Sequence, residues 1–465
     1  MKNKIWKLKV RGLKFELKFI QLQIFSIQSL MAYLQPKASR PQCLVSSFQF
    51  PVFVLQFPAS NFLFSTLFFF SLFVSHSANA QQLQSYIKEA EENSPEIQAL
   101  QYRYELTAEK AEEAGGLPDT ELSAGYFASE PETRTGPQKA RFSVRQMLPW
   151  FGTITARKNY AASMADAEYV EISIAKRKLA LAVAQSYYRL YALQAKQAIL
   201  LENVELLDTY HELALTFLEV GSASAVDVLR LQMRQNDLVQ QAQTLEQDAG
   251  AEKLQFEKLL NSKESRPLLI PESLAVPDKD FSEEKISEVH PELLKFEQLY
   301  TSVAEAESLN RKEALPKIGV GLDYVSVAER ADMDFTDNGK DILMPMLSVA
   351  IPIFSNKYRS VSRQNELRQK EIRAQQQNRL LKLQTMLKEA VSERASARIT
   401  AATYLKNLEQ AKDAEEILLK NYETGTIDFN DVLEIQEMQL KFQLGHIEAV
   451  KNFYMQATMV NYLSN

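Results

Sequence analysis

Between Gly152 and Gly221 the chain contains no glycine and no proline, and the same holds between Pro352 and Gly425. Both stretches are filled by Ala, Leu, Glu, Gln, Lys and Arg, the residues that cost least in a helix. As a single helix, each is a rod of roughly 100 Å at 1.5 Å per residue. A compact globular core has no use for such a rod. Two of equal length in one chain predict a duplicated, elongated, helix-walled object.

The shorter motifs repeat in the same order as the rods. Ser94-Pro95-Glu96 returns as His290-Pro291-Glu292, and Leu117-Pro118 as Leu315-Pro316. Leu148-Pro149-Trp150-Phe151 returns as Ile351-Pro352-Ile353-Phe354, and Gly221 with Asp227-Val228-Leu229 as Gly425 with Asp431-Val432-Leu433. This is an internal repeat of order two. It divides the chain into residues 81–262, a proline-containing linker over 263–283, and residues 284–465. Within each half, a first helix (81–114 in the first) leads to two stretches of strict alternation. Leu122, Ala124, Tyr126 and Ala128 share one face; Phe142 and Val144 oppose Arg141, Ser143 and Arg145. The second half alternates through Ile318–Tyr324 and again through Leu347, Val349 and Ile351. The polar loops Ser129–Gln138 and Ala328–Asp341 join the strands. Each half is thus a strand hairpin with one apolar and one polar face, and each strand is near the 9–11 residues that cross a membrane. The first rod carries a heptad seam (Leu200, Val204, Leu207, His211, Ala214, Leu218), and a second helix, Val226–Leu260, folds back beside it.

Residues 1–80 differ from the rest. Nine Lys and Arg and a single acid precede the apolar run Phe62–Val74, which closes on Ala78-Asn79-Ala80. That order is a secretory signal peptide with an extended basic region. The whole chain has 53 bases and 59 acids; removing this segment leaves 44 and 58, a mature charge of about −14. An acidic exported chain is a poor nucleic-acid binder. The single cysteine, Cys43, leaves with the signal, so no disulfide, thiol nucleophile or Cys-based metal site is expected.

No enzyme constellation converges. His211, His290 and His446 lack the i, i+4 partner of a helical zinc pair. Met344 and Met346 are too few thioethers for a copper-type stepping site, and Met346 is expected to face inward beside Ser348. There is no phosphate loop and no nucleophile triad in supporting context. Neither a catalytic residue, a resident metal nor a cofactor is expected. Four strands cannot close a barrel alone, for which about eight is the smallest number. An open edge is not viable in lipid. Several chains must therefore pool their strands. Rods polar around much of their girth, as over Gln364–Arg379, suit the wall of a water-filled tube.

The order of helix, strand pair, Pro-aromatic junction, long helix, glycine tip and helix, twice over, resembles the TolC family of outer-membrane efflux proteins. The carrying residues are Leu148-Pro149-Trp150-Phe151-Gly152, Ile351-Pro352-Ile353-Phe354, Val220-Gly221 with Asp227-Val228, and Tyr422-Glu423-Thr424-Gly425 with Asp431-Val432-Leu433. The resemblance covers nearly all of residues 81–465. It implies a mainly α fold with a membrane β-barrel portion, assembled as a homotrimer with a 12-stranded barrel in outer-membrane lipid and a long periplasmic α-barrel. It implies the exit duct of a tripartite efflux or type I secretion system, working beside a periplasmic adaptor and an inner-membrane transporter. The competing expectation is a non-conducting envelope scaffold or adhesin.

The resemblance also assigns sites. Pro149, Trp150, Phe151, Pro352 and Phe354 mark the strand-to-helix junctions. Val220, Gly221, Ser222 and Ala223, with Thr424, Gly425 and Thr426, form the adaptor-docking tips. Asp431, Glu434 and Asp428 match an acidic ring at the periplasmic constriction. From the residues alone, Asp431 is equally a first-turn acid favoured by the helix dipole behind Asn430 as N-cap. Basic residues close the second tip loop elsewhere in the family, whereas Thr426-Ile427-Asp428-Phe429 here carries none. The cleavage box predicts a mature protein starting at Gln81. N-terminal sequencing of the envelope-extracted protein checks this, and a start upstream of residue 75 would exclude the signal-peptide reading.

Overall fold

The computed structural model describes residues 81–464, apart from 220–223, 263–266, 279–285, 287–289, 333–335, 425 and 428. The signal segment predicted over 1–80 lies outside the described residues. Helix α1 covers 81–93 and α2 covers Pro95–Ala114. Strands β1 (Thr120–Tyr126), β2 (Glu132–Thr133) and β3 (Gly136–Leu148) precede α3 (Thr153–Glu219) and α4 (Ala225–Leu260). The second half runs α5 (Pro291–Glu313), β4 (Lys317–Val327), β5 (Ile342–Ala350), α6 (Lys357–Glu423) and α7 (Phe429–Ser464). The two rods α3 and α6 have 67 residues each, and α4 and α7 have 36 each.

The helix expected over 81–114 is broken. Ser94 is extended (φ −67°, ψ 118°) because the following proline disfavours the α region before it. Its hydroxyl then caps α2 by accepting from Ile97 N at 3.3 Å. The loop Ser129–Gln138 holds a short strand, β2, that the alternation did not reveal. Gly136 at φ +126° turns the chain there, and Thr133 Oγ1 donates to its carbonyl at 2.6 Å.

Rod α3 is the hub of the chain. It packs against α2 and α4 of its own half and against α5 and α7 of the other. Its stripe over Leu200, Asn203, Leu207, Tyr210 and Ala214 is buried. This corrects the expected seam, of whose six residues Val204, His211 and Leu218 are only partly buried. Val204 and His211 sit at the rim, because α7 as well as α4 packs on the rod and turns Asn203 and Tyr210 inward. His211 shares a hydrogen bond with Gln232 of α4 at 3.1 Å. Higher up, Tyr86, Val183, Tyr187, Leu190, Phe256 and Leu260 close a second core between α1, α3 and α4.

Gly250 and Gly445 are the two glycines within the long helices, and they differ in kind. Nothing lies within 4 Å of a Cβ built on Gly250, whereas one on Gly445 would meet the Tyr404 ring at 2.8 Å. The α6–α7 pair is therefore packed to the backbone at that point. Gly445→Val should cost about 1–3 kcal/mol through overpacking, while Gly250→Ala should gain about 0.5–1 kcal/mol from helix propensity. Denaturant unfolding of both variants in detergent measures the two signs.

Candidate functional site

The four long strands form one antiparallel sheet in the order β1-β3-β4-β5, so the two hairpins are joined through β3 and β4. Register aligns the apolar residues across it. Leu122, Val144 and Leu322 form one row; Ala124, Phe142, Tyr324 and Leu343 form the next. These side chains face solvent, Leu122 and Tyr126 being 74 % exposed. A sheet that turns its apolar face outward is built for lipid.

The other face is polar. Arg141 pairs with Asp323, whose side chain is fully buried. Met346 lies on this inner face, as expected, two residues from Ser348. Gly319 makes room there: a Cβ would fall 2.3 Å from Ser348 Oγ and 2.6 Å from Met147 Sδ. Among the described residues, the outer edges of β1 and β5 have no strand partner. Pro345 lies in β5, an edge strand, where a missing donor is tolerated.

At the far end of the sheet the two polar loops interlock. Gly339 N donates to Thr135 O at 2.7 Å, and Arg330 donates to Thr133 O at 3.3 Å. A side chain on Gly136 would collide with Ala328 O at 1.9 Å.

At the near end, both junctions leave aromatic rings in the open. Pro149 and Trp150 are half-buried, while Phe151 is exposed and stands edge-on to Trp150 at 6.0 Å. Gly152 at φ +79° turns the strand into α3, and Thr153 N bonds Trp150 O at 2.9 Å. The second junction lacks this glycine. It turns by Ile353 N to Ile351 O at 3.0 Å, leaving Pro352 half-buried and Phe354 99 % exposed.

Of the residues assigned to the tips, Val220, Gly221, Ser222, Ala223 and Gly425 lie outside the described residues, as does Asp428 of the acidic ring. Thr424 and Thr426 are exposed, and both bond back to Asn421 O at 2.9 Å. Asp431 and Glu434 are exposed on one face of α7. Asn430 is not the N-cap of this helix. It lies inside α7, where Nδ2 donates to Glu434 Oε1 at 3.2 Å and Oδ1 accepts from Arg230 at 3.4 Å. The repeat partner of Asp431 is different in kind: Asp227 is buried and completes a capping box with Ser224.

Three features of the tip region escaped sequence reasoning. Tyr210, Phe217, Tyr422 and Phe429 form one aromatic cluster, with Tyr422–Phe429 centroids 4.9 Å apart and Phe217–Tyr422 5.2 Å apart. Arg230 and Arg234 of α4 reach α7, the latter 3.5 Å from Glu437. Glu415 of α6 receives Tyr210 Oη of α3 and, at 2.6 Å, Gln439 Nε2 of α7. Near the tips, among the described residues, the basic ties between halves thus come from α4. One sign was present in the sequence, since the repeat places Arg230 at the position of Glu434.

No protein-family model and no curated protein matches the sequence. Solved structures do match. The outer membrane protein VceC of Vibrio cholerae aligns at 17 % identity with TM-score 0.62, over 83 % of this chain and 96 % of that one. CusC, described with its transmembrane channel formation, aligns at 13 % identity and TM-score 0.67, over 83 % and 92 %. The CmeC outer membrane channel of Campylobacter jejuni aligns at 14 % identity and TM-score 0.63, over 92 % and 94 %. The chain has the fold of these channels.

The capping box carries a prediction. Asp227→Ala should destabilise by about 1 kcal/mol, whereas Asp431→Ala, at an exposed position, should cost no more than a few tenths from the helix dipole. Thermal unfolding of the two variants compares them.

Proposed function

We propose that the chain is one protomer of a trimeric outer-membrane exit duct of the TolC family, open to the periplasm through its long helices. The observation that carries this reading is a set of unfilled joints that the repeat itself defines. Inside the chain, β3 pairs with β4, and α3 packs on α5 and α7. The repeat maps β3 onto β5, β4 onto β1, α3 onto α6, α5 onto α2 and α7 onto α4. Among the described residues of one chain, β5 has no strand partner beyond β4, and α6 packs along its length on α5 and α7 while touching α3 at Tyr210–Glu415 and Phe217–Tyr422. The same joint made between chains supplies β5 with a neighbour's β1 and α6 with its α2 and α4. Exposed apolar side chains lie on both sides of that joint, Ile399 and Ile417 on α6 and Tyr102 and Met233 on α2 and α4. Repeating one joint around an axis closes a ring, a head-to-tail assembly in which the sheets form a barrel and the rods a tube.

In this reading the exposed junction rings, Phe151 and Phe354, lie at the membrane border, where aromatic residues concentrate. The tips around Gly221 and Gly425 dock a periplasmic adaptor that joins the duct to an inner-membrane transporter, which supplies the energy. Asp431 and Glu434 point away from their own protomer and, in a trimer, place six carboxylates around the narrow end. Such a ring selects cations and binds divalent ions.

The test is conductance in planar bilayers. The purified protein should conduct as a trimer, prefer cations and be blocked by divalent ions. The double variant Asp431→Ala with Glu434→Ala should keep its conductance while losing the preference and the block. A membrane-inserted trimer without conductance would favour a scaffold. Conductance with unchanged selectivity in the double variant would leave these acids only their place at the helix start.

A further inference from the structure

His290 stands where the first half has Ser94. Both are N-caps followed by proline, Ser94 for α2 and His290 for α5. The serine hydroxyl accepts its backbone N–H at any pH. The histidine does so through Nδ1, which accepts from Glu292 N at 3.3 Å. Its other nitrogen, Nε2, lies 3.2 Å from Tyr462 O, in the last turn of α7. A carbonyl accepts and an amide N–H donates, so the two contacts together assign the neutral tautomer with its proton on Nε2. A protonated ring has no lone pair on Nδ1. It would lose the cap and set N–H against N–H.

The surroundings oppose that second proton. The ring is 1 % exposed. Arg177 of α3 donates to the same Tyr462 carbonyl at 2.6 Å, and its guanidinium lies 5.6 Å from the centre of the Tyr462 ring. Arg379 of α6 pairs with Glu292 of α5, which also accepts from Tyr462 Oη; Lys178 of α3 acts on the same carboxylate. Burial first, then Arg177, hold the His290 pKa below its ordinary value, against partial opposition from Tyr462 O and Glu292. For Glu292, burial acts upward, but the bonds from Arg379 and Tyr462 outweigh it and keep the carboxyl below its usual range.

We propose that His290 is an acid-sensitive latch. Neutral, it ties the last turn of α7 to the first turn of α5, beside both rods; protonated, it lets go. The geometry assigns this role independently of any reading of the chain as a duct. A histidine that must be neutral when folded contributes stability that is complete above its unfolded pKa of about 6.5. That contribution is lost as pH falls below 6.5 toward the folded value, so the opening constant of the joint should rise about tenfold per pH unit in that window.

The experiment is amide hydrogen exchange on the full detergent-solubilised chain from pH 7.5 to 5.0, corrected for the intrinsic rate. Peptides covering the first turn of α5 and the last turn of α7 are followed in the parent, in His290→Ser, which restores the first half's hydroxyl cap, and in His290→Asn. The parent should lose protection in both peptides about tenfold per unit below pH 6.5, and the two variants should not. A flat parent profile, or the same loss in a folded variant, would overturn the latch. Exchange at the imidazole C2 position reports the His290 midpoint in the parent directly. It should fall below 6.5; a midpoint at or above that value refutes the proposal whether or not the variants fold.

Discussion

Backbone groups in lipid must find partners inside the protein, and the rest of this structure follows from that requirement. The sheet turns its apolar rows outward, yet β1 and β5 end it with unpaired edges. A strand edge is tolerable in water and costs several kcal/mol per unsatisfied group in hydrocarbon. Burying Leu122, Tyr126 and Leu347 in a membrane is thus possible only if the edges meet. Closure by further copies would satisfy the edges and the apolar face in one step, and it would leave Arg141 and Ser348 facing an enclosed aqueous space, with Asp323 buried beneath Arg141.

The helical part obeys a different balance. A tube wall in water on two sides has only a narrow stripe to bury, so its joints must be sealed partly by polar groups. Tyr210, Glu415, Gln436 and Gln439 form one hydrogen-bonded chain across α3, α6 and α7. The Glu292, Arg379 and Tyr462 group does the same at the other end of α7. Such networks are stable only when complete, since a buried polar group that loses its partner costs about 1–3 kcal/mol. They therefore fix register between helices that an all-apolar seam would let slide. The aromatic cluster of Phe217, Tyr422 and Phe429 supplies the apolar counterpart beneath the tips.

The parts of this fold that follow local rules were legible in the chain. Absence of glycine and proline marked both rods to within a few residues of their ends. Alternation marked the strands and their faces, and it put Met346 inside. Motif order marked the repeat. What was not legible depends on which elements become neighbours. The true stripe of α3 passes through Asn203 and Tyr210 because α7 packs on that side, which no heptad written on α3 alone can tell. Asn430 looked like a cap, but α7 begins one residue before it. Pro345 is a poor strand residue on propensity, yet it sits in an edge strand. At the candidate tips, sequence named the loops; it did not reveal that Arg230 and Arg234 of α4 reach α7 and that Phe429 packs on Tyr210 and Tyr422.

Duplication explains the last asymmetry between the halves. The two rods have equal length and equal partners by descent, yet α3 packs extensively on helices of both halves, whereas α6 packs mainly on those of its own and meets α3 at Tyr210–Glu415 and Phe217–Tyr422. Composition follows suit. The end of α6 nearer the sheet carries charge pairs, Arg373 to Glu297 of α5 at 2.7 Å and Arg363 to Glu366 within the helix at 2.5 Å, and at the positions equivalent to the buried Tyr187 and Leu190 of α3 it has Val391 and Arg394. A rod whose second set of neighbours is its own chain folds with them and can be sealed by apolar side chains. A rod whose second set must arrive from another copy has to stay soluble while it waits. On the trimer proposed above, the polar outer face of α6 would keep the chain soluble until those neighbours arrive.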